Sequence, residues 1–247
     1  MSADNGGSCW GLLYCVRETI MKLLQHIRSS RFLCVATSAL ALTALLALPV
    51  IGQQKGKGGD NDPDRAVKGS GMPAGWSVRP DRGTPDQIKF TQAGDVFHFV
   101  MGSAGTFYNN AWTKTGNYKF SARLTQLKAP NHPISYGLMI GGSNLGTPTP
   151  TYTYFLVHNL GEYFIANWEG ARPTTVVDWT AHASIAKQGG DGKQVNTLGV
   201  EVQGNNVIFT VNGAEVKRLQ KSQVHTDGLN AFRIGHNLDV DVDQVAR

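Results

Sequence analysis

Between Val96 and Ala246 apolar and polar residues alternate in short runs. A period of two over four to eight residues, bounded by Gly, Asn, Asp or Pro, marks a half-buried β-strand, because successive side chains leave a strand on opposite faces. Tyr118 to Leu127 is the cleanest instance: Tyr118, Phe120, Ala122 and Leu124 fall on one side, Lys119, Ser121, Arg123 and Thr125 on the other. Val96 to Met101 and Gly105 to Tyr108 precede it. Thr197 to Gln203, Asn206 to Val211 and Ala214 to Leu219 make a predicted three-strand meander, joined by Gly204-Asn205 and Asn212-Gly213. Asn-Gly between alternating strands is a strong hairpin signal, since both central residues of a type I′ turn need positive φ. Leu229 to Gly235 and Asp239 to Ala246 complete the series, and no apolar pattern of helical period follows Trp76. About a dozen short strands so spaced predict an all-β, two-sheet antiparallel sandwich of jelly-roll type.

The first 71 residues follow a different pattern. Lys22, His26, Arg28 and Arg31 precede an apolar run from Phe32 to Ile51, which gives way to Gly52-Gln53-Gln54. That order predicts a secretory signal over 1–52, with the small Val50 and Gly52 suited to signal-peptidase subsites. About 20 apolar residues also suffice for an uncleaved anchor helix, which would be the chain's one contact with a membrane. Pro49 and the polar stretch after it favour cleavage, and Cys34 opens the run instead of closing it, unlike a lipoprotein. Met1 and Met21 both stand as candidate starts. Residues 53–71, rich in Gly, Lys and Asp, predict a flexible linker, leaving 72–247 as the folded domain. The expected location is therefore outside the cytoplasm, secreted or periplasmic.

Composition narrows the function classes. Setting Arg17, Lys22, Arg28 and Arg31 against Asp4 and Glu18 in residues 1–52 leaves 19 basic and 16 acidic residues in the body, from totals of 23 and 18. With a balance of +3 and no Lys/Arg-rich run, a nucleic-acid partner is excluded. Cys9, Cys15 and Cys34 all precede residue 53, so the body offers neither a thiolate for zinc nor a Cys nucleophile. No Gly-rich phosphate loop opens a helix, and no organic cofactor is expected.

Trp76, NYKFSARL at 117–124, YGLMIGG at 136–142, YTYFLVHN at 152–159, VEVQGNNVIFTVNGAEV at 200–216 and GLNAFRIGHN at 228–237 together resemble the 3-keto-disaccharide hydrolase-type domain. That family belongs to the concanavalin A-like lectin/glucanase superfamily, of which laminin-G-like modules are also part. The resemblance covers about residues 75–247 and implies a jelly roll whose concave face meets a carbohydrate ligand. Members with the fuller hydrolase signature carry Glu-x-Gln-x-x-Asp in a central strand, and laminarinase-type relatives carry Glu-x-Asp-x-x-Glu. The matching Tyr152 to His158 has no carboxylate.

Candidate chemistry falls in two places. Tyr154, Leu156 and His158 share one strand face, and Tyr163, Ile165, Asn167 and Glu169 share a face of the next. A sugar site wants an aromatic platform ringed by groups that donate and accept hydrogen bonds. Arg123, Tyr154, His158, Asn159, Asn167, Trp168, Glu169, His236 and Asn237 are the expected ligand-binding set, although turn chemistry also accounts for His236-Asn237. Trp112 and Trp179 are expected in loops, clamping a glycan or covering a sheet edge. The second place is Asp239-Val240-Asp241-Val242-Asp243. Asp239, Asp241 and Asp243 could ligate Ca²⁺, and Asp239 and Asp241 with Glu169 are the candidate catalytic carboxylates of a glycosidase-like site. The competing reading is a solvent-facing strand with Val240 and Val242 inward. Carbohydrate binding without strong catalysis is the favoured function, with a glycoside hydrolase-like enzyme and a protein-adhesion module as alternatives.

Overall fold

The computed structural model describes residues 62–69 and 71–247, so the signal and anchor readings of 1–52 lie outside the described residues. Among the described residues fourteen strands, numbered in chain order, form two seven-stranded antiparallel sheets. The first sheet runs β1 (Trp76–Pro80), β4 (Gly105–Lys114), β13 (Gly228–Ile234), β6 (Ser135–Ser143), β7 (Thr151–His158), β8 (Glu162–Glu169) and β9 (Arg172–Ala181). The second runs β12 (Ala214–Gln220), β11 (Asn206–Val211), β10 (Gln194–Gln203), β5 (Tyr118–Gln126), β14 (Asp239–Ala246), β3 (Val96–Met101) and β2 (Ile88–Ala93). Among the described residues the only helices are two 3₁₀ turns, Pro85–Gln87 and Lys221–Gln223.

Alternation places one row of each strand between the sheets. Phe120, Ala122 and Leu124 of β5 are fully buried there, as are Val240 and Val242 of β14. Trp76, Phe90, Phe97, Phe99, Phe107, Trp112 and Phe232 pack around them, with edge-on contacts such as Trp76 to Trp112 at 4.7 Å. Edge-to-face packing suits aromatic rings because the positive rim of one meets the negative face of another. The β11–β12 turn has Asn212 at φ 51° and Gly213 at φ 83°, as an Asn-Gly hairpin requires. β4 continues to Lys114, well past Tyr108, and so carries Trp112 into the core at 5% exposure.

The flexible stretch expected over 53–71 does not extend through 62–69. Arg65 Nε donates to Met101 O at 2.7 Å, Nη2 donates to Leu238 O at 2.8 Å, and the same guanidinium pairs with Asp239. The backbone N–H of Arg65 donates to Asn237 Oδ1 at 2.7 Å. A planar fork of donors matches these convergent oxygens, and ordering the segment follows from satisfying them together.

Candidate functional site

The first sheet also has an apolar outer face. Met139 of β6, Tyr152, Tyr154 and Leu156 of β7, Ala166 of β8 and Ala231 of β13 are buried on it, with Tyr108, Phe164, Trp168 and Leu229 packed around them. The β7–β8 register sets Tyr152 opposite Trp168, Tyr154 opposite Ala166 and Leu156 opposite Phe164. Two aromatic rows result. In the inner row Tyr152 and Tyr154 are 6.0 Å apart; the outer row holds Trp168, Phe164 and Trp179. Tyr152 stacks on Trp168 at 5.8 Å, Tyr154 on Phe164 at 6.0 Å, and Phe164 on Trp179 at 5.0 Å. His158 closes the ladder by stacking on Trp179 at 4.2 Å. Trp179 lies on the edge strand β9 and is 37% exposed, whereas Tyr152 is 2% exposed.

Polar groups are fixed into this face. Arg233 pairs with Asp81 beneath the tyrosines, and Arg79 donates to Leu145 O and Thr147 O, holding the 144–150 loop beside them. Burial pushes the Tyr152 phenol up to about 12 and raises Tyr154 as well, so both remain neutral donors at physiological pH. Burial also lowers the His158 pKa, outweighing Glu162, whose Oε2 is 3.0 Å from Nε2. A neutral imidazole stacked on indole is thus the resting state.

The expected ligand set divides among five places. Tyr154, His158 and Trp168 are on the outer face. Asn167 and Glu169 are not, because Asn167 faces Thr153 across the ladder, half a strand period out of phase. Asn167 Nδ2 donates to Gln223 O at 2.9 Å and Glu169 meets His225 Nε2 at 3.0 Å, on the opposite side. Arg123 lies on the other sheet, forked onto Asp243 at 2.7 and 2.5 Å. Asn159 occupies the β7–β8 turn, donating to Gln188 Oε1 at 3.3 Å. His236 and Asn237 make the β13–β14 turn, with Asn237 at φ 55°, and contact the N-terminal segment instead. Trp112 and Trp179 belong to strands, not loops.

The Asp239–Asp243 array, expected to hold Ca²⁺ or to supply catalytic carboxylates, lies along β14 in the second sheet. Its carboxylates face outward while Val240 and Val242 are fully buried. Each is already matched: Asp239 by Arg65 and Lys128, Asp241 by His98 at 2.6 Å, Asp243 by Arg123. The oxygens of Asp239, Met101 and Leu238 would suit Ca²⁺, but the Arg65 guanidinium fills them. Burial alone would raise the Asp239 carboxyl, yet bonds from Arg65 and Lys128 hold it below the usual range. The Arg123 bond does the same for Asp243. A general acid needs the opposite shift. Glu169 sits on the first sheet, away from this array.

The residues that sequence reasoning missed are Tyr152, Phe164, Arg233 and Asp81, together with the placement of Trp179. A signal existed for two of them: Tyr152 is in phase with Tyr154, and Phe164 with Trp168.

No family model matches the chain, and no curated protein matches it in sequence. Solved structures do match. The carbohydrate-binding module CBM66 from Bacillus subtilis aligns with TM-score 0.51 at 11% identity, over 74% of this chain and 98% of that one. A Bacillus licheniformis β-glucanase aligns at 0.48 and 7%, over 75% and 97%. The laminarinase catalytic domain from Thermotoga maritima aligns at 0.47 and 12%, over 74% and 97%. The domain has the two-sheet antiparallel jelly-roll fold that it shares with that carbohydrate-binding module.

Proposed function

We propose that this domain binds carbohydrate on the outer face of its first sheet, along the strip made by Trp168, Phe164 and Trp179. The observation that carries the reading is the two-row aromatic ladder. Its inner tyrosines are locked by neighbours while its outer rings remain half-exposed, and a rigid ring face is what the apolar C–H side of a pyranose stacks on. The fold shared with a carbohydrate-binding module supports the scaffold for this role. Binding is favoured over hydrolysis because the candidate carboxylates sit on separate sheets and those of the Asp239–Asp243 strand are tied to cations. The basic and apolar leader supports action outside the cytoplasm, and among the described residues no helix is long and apolar enough to cross a membrane.

The test is a glycan-array screen of the full chain beside Trp179→Ala, with reducing-sugar release followed on every retained saccharide. The expected result is retention without release, weakened about tenfold or more in the variant, as loss of a stacking platform implies. Indifference to every saccharide, or a variant that binds as well as its parent, overturns the proposal. Release of sugar would favour the enzyme.

A further inference from the structure

Three distant chain segments meet at one end of the sandwich. Asp62 comes from the N-terminal segment, His132 from the 127–134 loop between β5 and β6, and His236 from the β13–β14 turn. One ligand atom of each lies within 4.8 Å of the others. Asp62 Oδ2 is 3.4 Å from His132 Nε2, close to the roughly 3.3 Å edge of a tetrahedron built on zinc bonds of about 2.0–2.1 Å. The two imidazole centroids are 5.5 Å apart.

The surrounding bonds orient these groups. His236 Nδ1 lies 3.2 Å from Asp64 Oδ1, a contact that fixes the direction of the ring. Asp64 is itself held by a two-point fork from Arg82 at 2.9 and 2.7 Å. His132 Nδ1 lies 3.3 Å from Pro133 O, and Asn237 Nδ2 donates to Asp62 at 2.9 Å. A carboxylate–histidine relay of this sort fixes tautomer and ring direction in metal sites. Beside the cluster lies a cleft of about 420 Å³ lined by Asp62, Asp64, Arg65, Lys128, Asn131 and Asn237.

We propose that Asp62, His132 and His236 bind one divalent transition-metal ion of the zinc class. Two imidazole nitrogens select such an ion over Ca²⁺, which takes oxygen ligands. Three protein ligands leave a fourth position, and the cleft supplies both its entry path and room for water or a ligand oxygen. The ion also clips the N-terminal segment to two loops of the domain. This inference stands independently of sugar binding on the first sheet.

The experiment uses the full chain carrying Cys9→Ser, Cys15→Ser and Cys34→Ser, so that thiolates do not compete. Zn²⁺ is titrated calorimetrically, Co²⁺ is followed by its visible absorption, and Ca²⁺ serves as the contrast. One Zn²⁺ per chain is expected, together with the intense visible bands of four-coordinate Co²⁺. His132→Ala is expected to bind at least tenfold more weakly with unchanged circular dichroism, and Asp64→Asn roughly tenfold more weakly through loss of orientation. His132 is about one-third exposed, so its variant tests ligation with the core intact. Absence of Zn²⁺ binding in the parent, full affinity retained in His132→Ala, or Ca²⁺ binding as tightly as Zn²⁺ would each overturn the proposal.

Discussion

His158 shows how one side chain couples the aromatic outer face to stability. Its ring is buried against Trp179, and burial holds its pKa below the ordinary histidine value. As pH falls, the unfolded chain therefore takes up a proton first. The stability tied to the neutral ring is complete above about pH 6.5 and drains away below it, toward the lower folded pKa. Comparing urea midpoints of the parent and His158→Gln at pH 7.5 and 5.5 should show the parent's advantage shrinking at the lower pH; an advantage that grows on acidification would refute this. The ionisable residues also mark where sequence reading stopped. Arg123 and Glu169 have the right chemistry for a sugar site, but neither reveals its sheet or its partner. Asp243 lies on β14 opposite Arg123 of β5, 120 positions away in the chain, and His225 lies 56 positions from Glu169. Pairings over such distances leave no periodic trace.

At the scale of elements the sequence was far more explicit. Val96–Met101, Asn206–Val211 and Asp239–Ala246 were readable to the residue, because each is a two-period run between turn residues. Thr151–His158 hid its two faces, since both are apolar: Phe155 and Val157 turn to the core, Tyr154 and Leu156 to the outer ladder. A strand buried on both sides has no alternation to read. β6 shows what such burial demands. A Cβ added at Gly137 would stand 2.1 Å from Phe155 O, so the backbones of β6 and β7 meet where a side chain would be. Gly137→Ala should cost about 2 kcal/mol, in the range of overpacked cores, and lower the urea midpoint accordingly. An unchanged midpoint would mean that the two strands can part without penalty.

For the whole molecule, the boundary of the folded domain is the point that composition misplaced. Gly, Lys and Asp around residue 60 read as tether, yet Arg65 reaches three oxygens contributed by the β3 end and the start of β14. Arg65→Ala removes those bonds together and should cost about 2 kcal/mol. For a domain of this size that is a fall of roughly 4–8 °C in thermal midpoint. A chain beginning at residue 72 should fall at least as far; scanning calorimetry showing no change in either would return 62–69 to the tether. A positive charge carried on the polypeptide, in a nest of oxygens that would otherwise attract a hard ion, cannot be diluted, chelated or exchanged. The integrity of that corner is thus set when the chain is synthesised, and it stays the same whether the surrounding medium is rich in calcium or stripped of it.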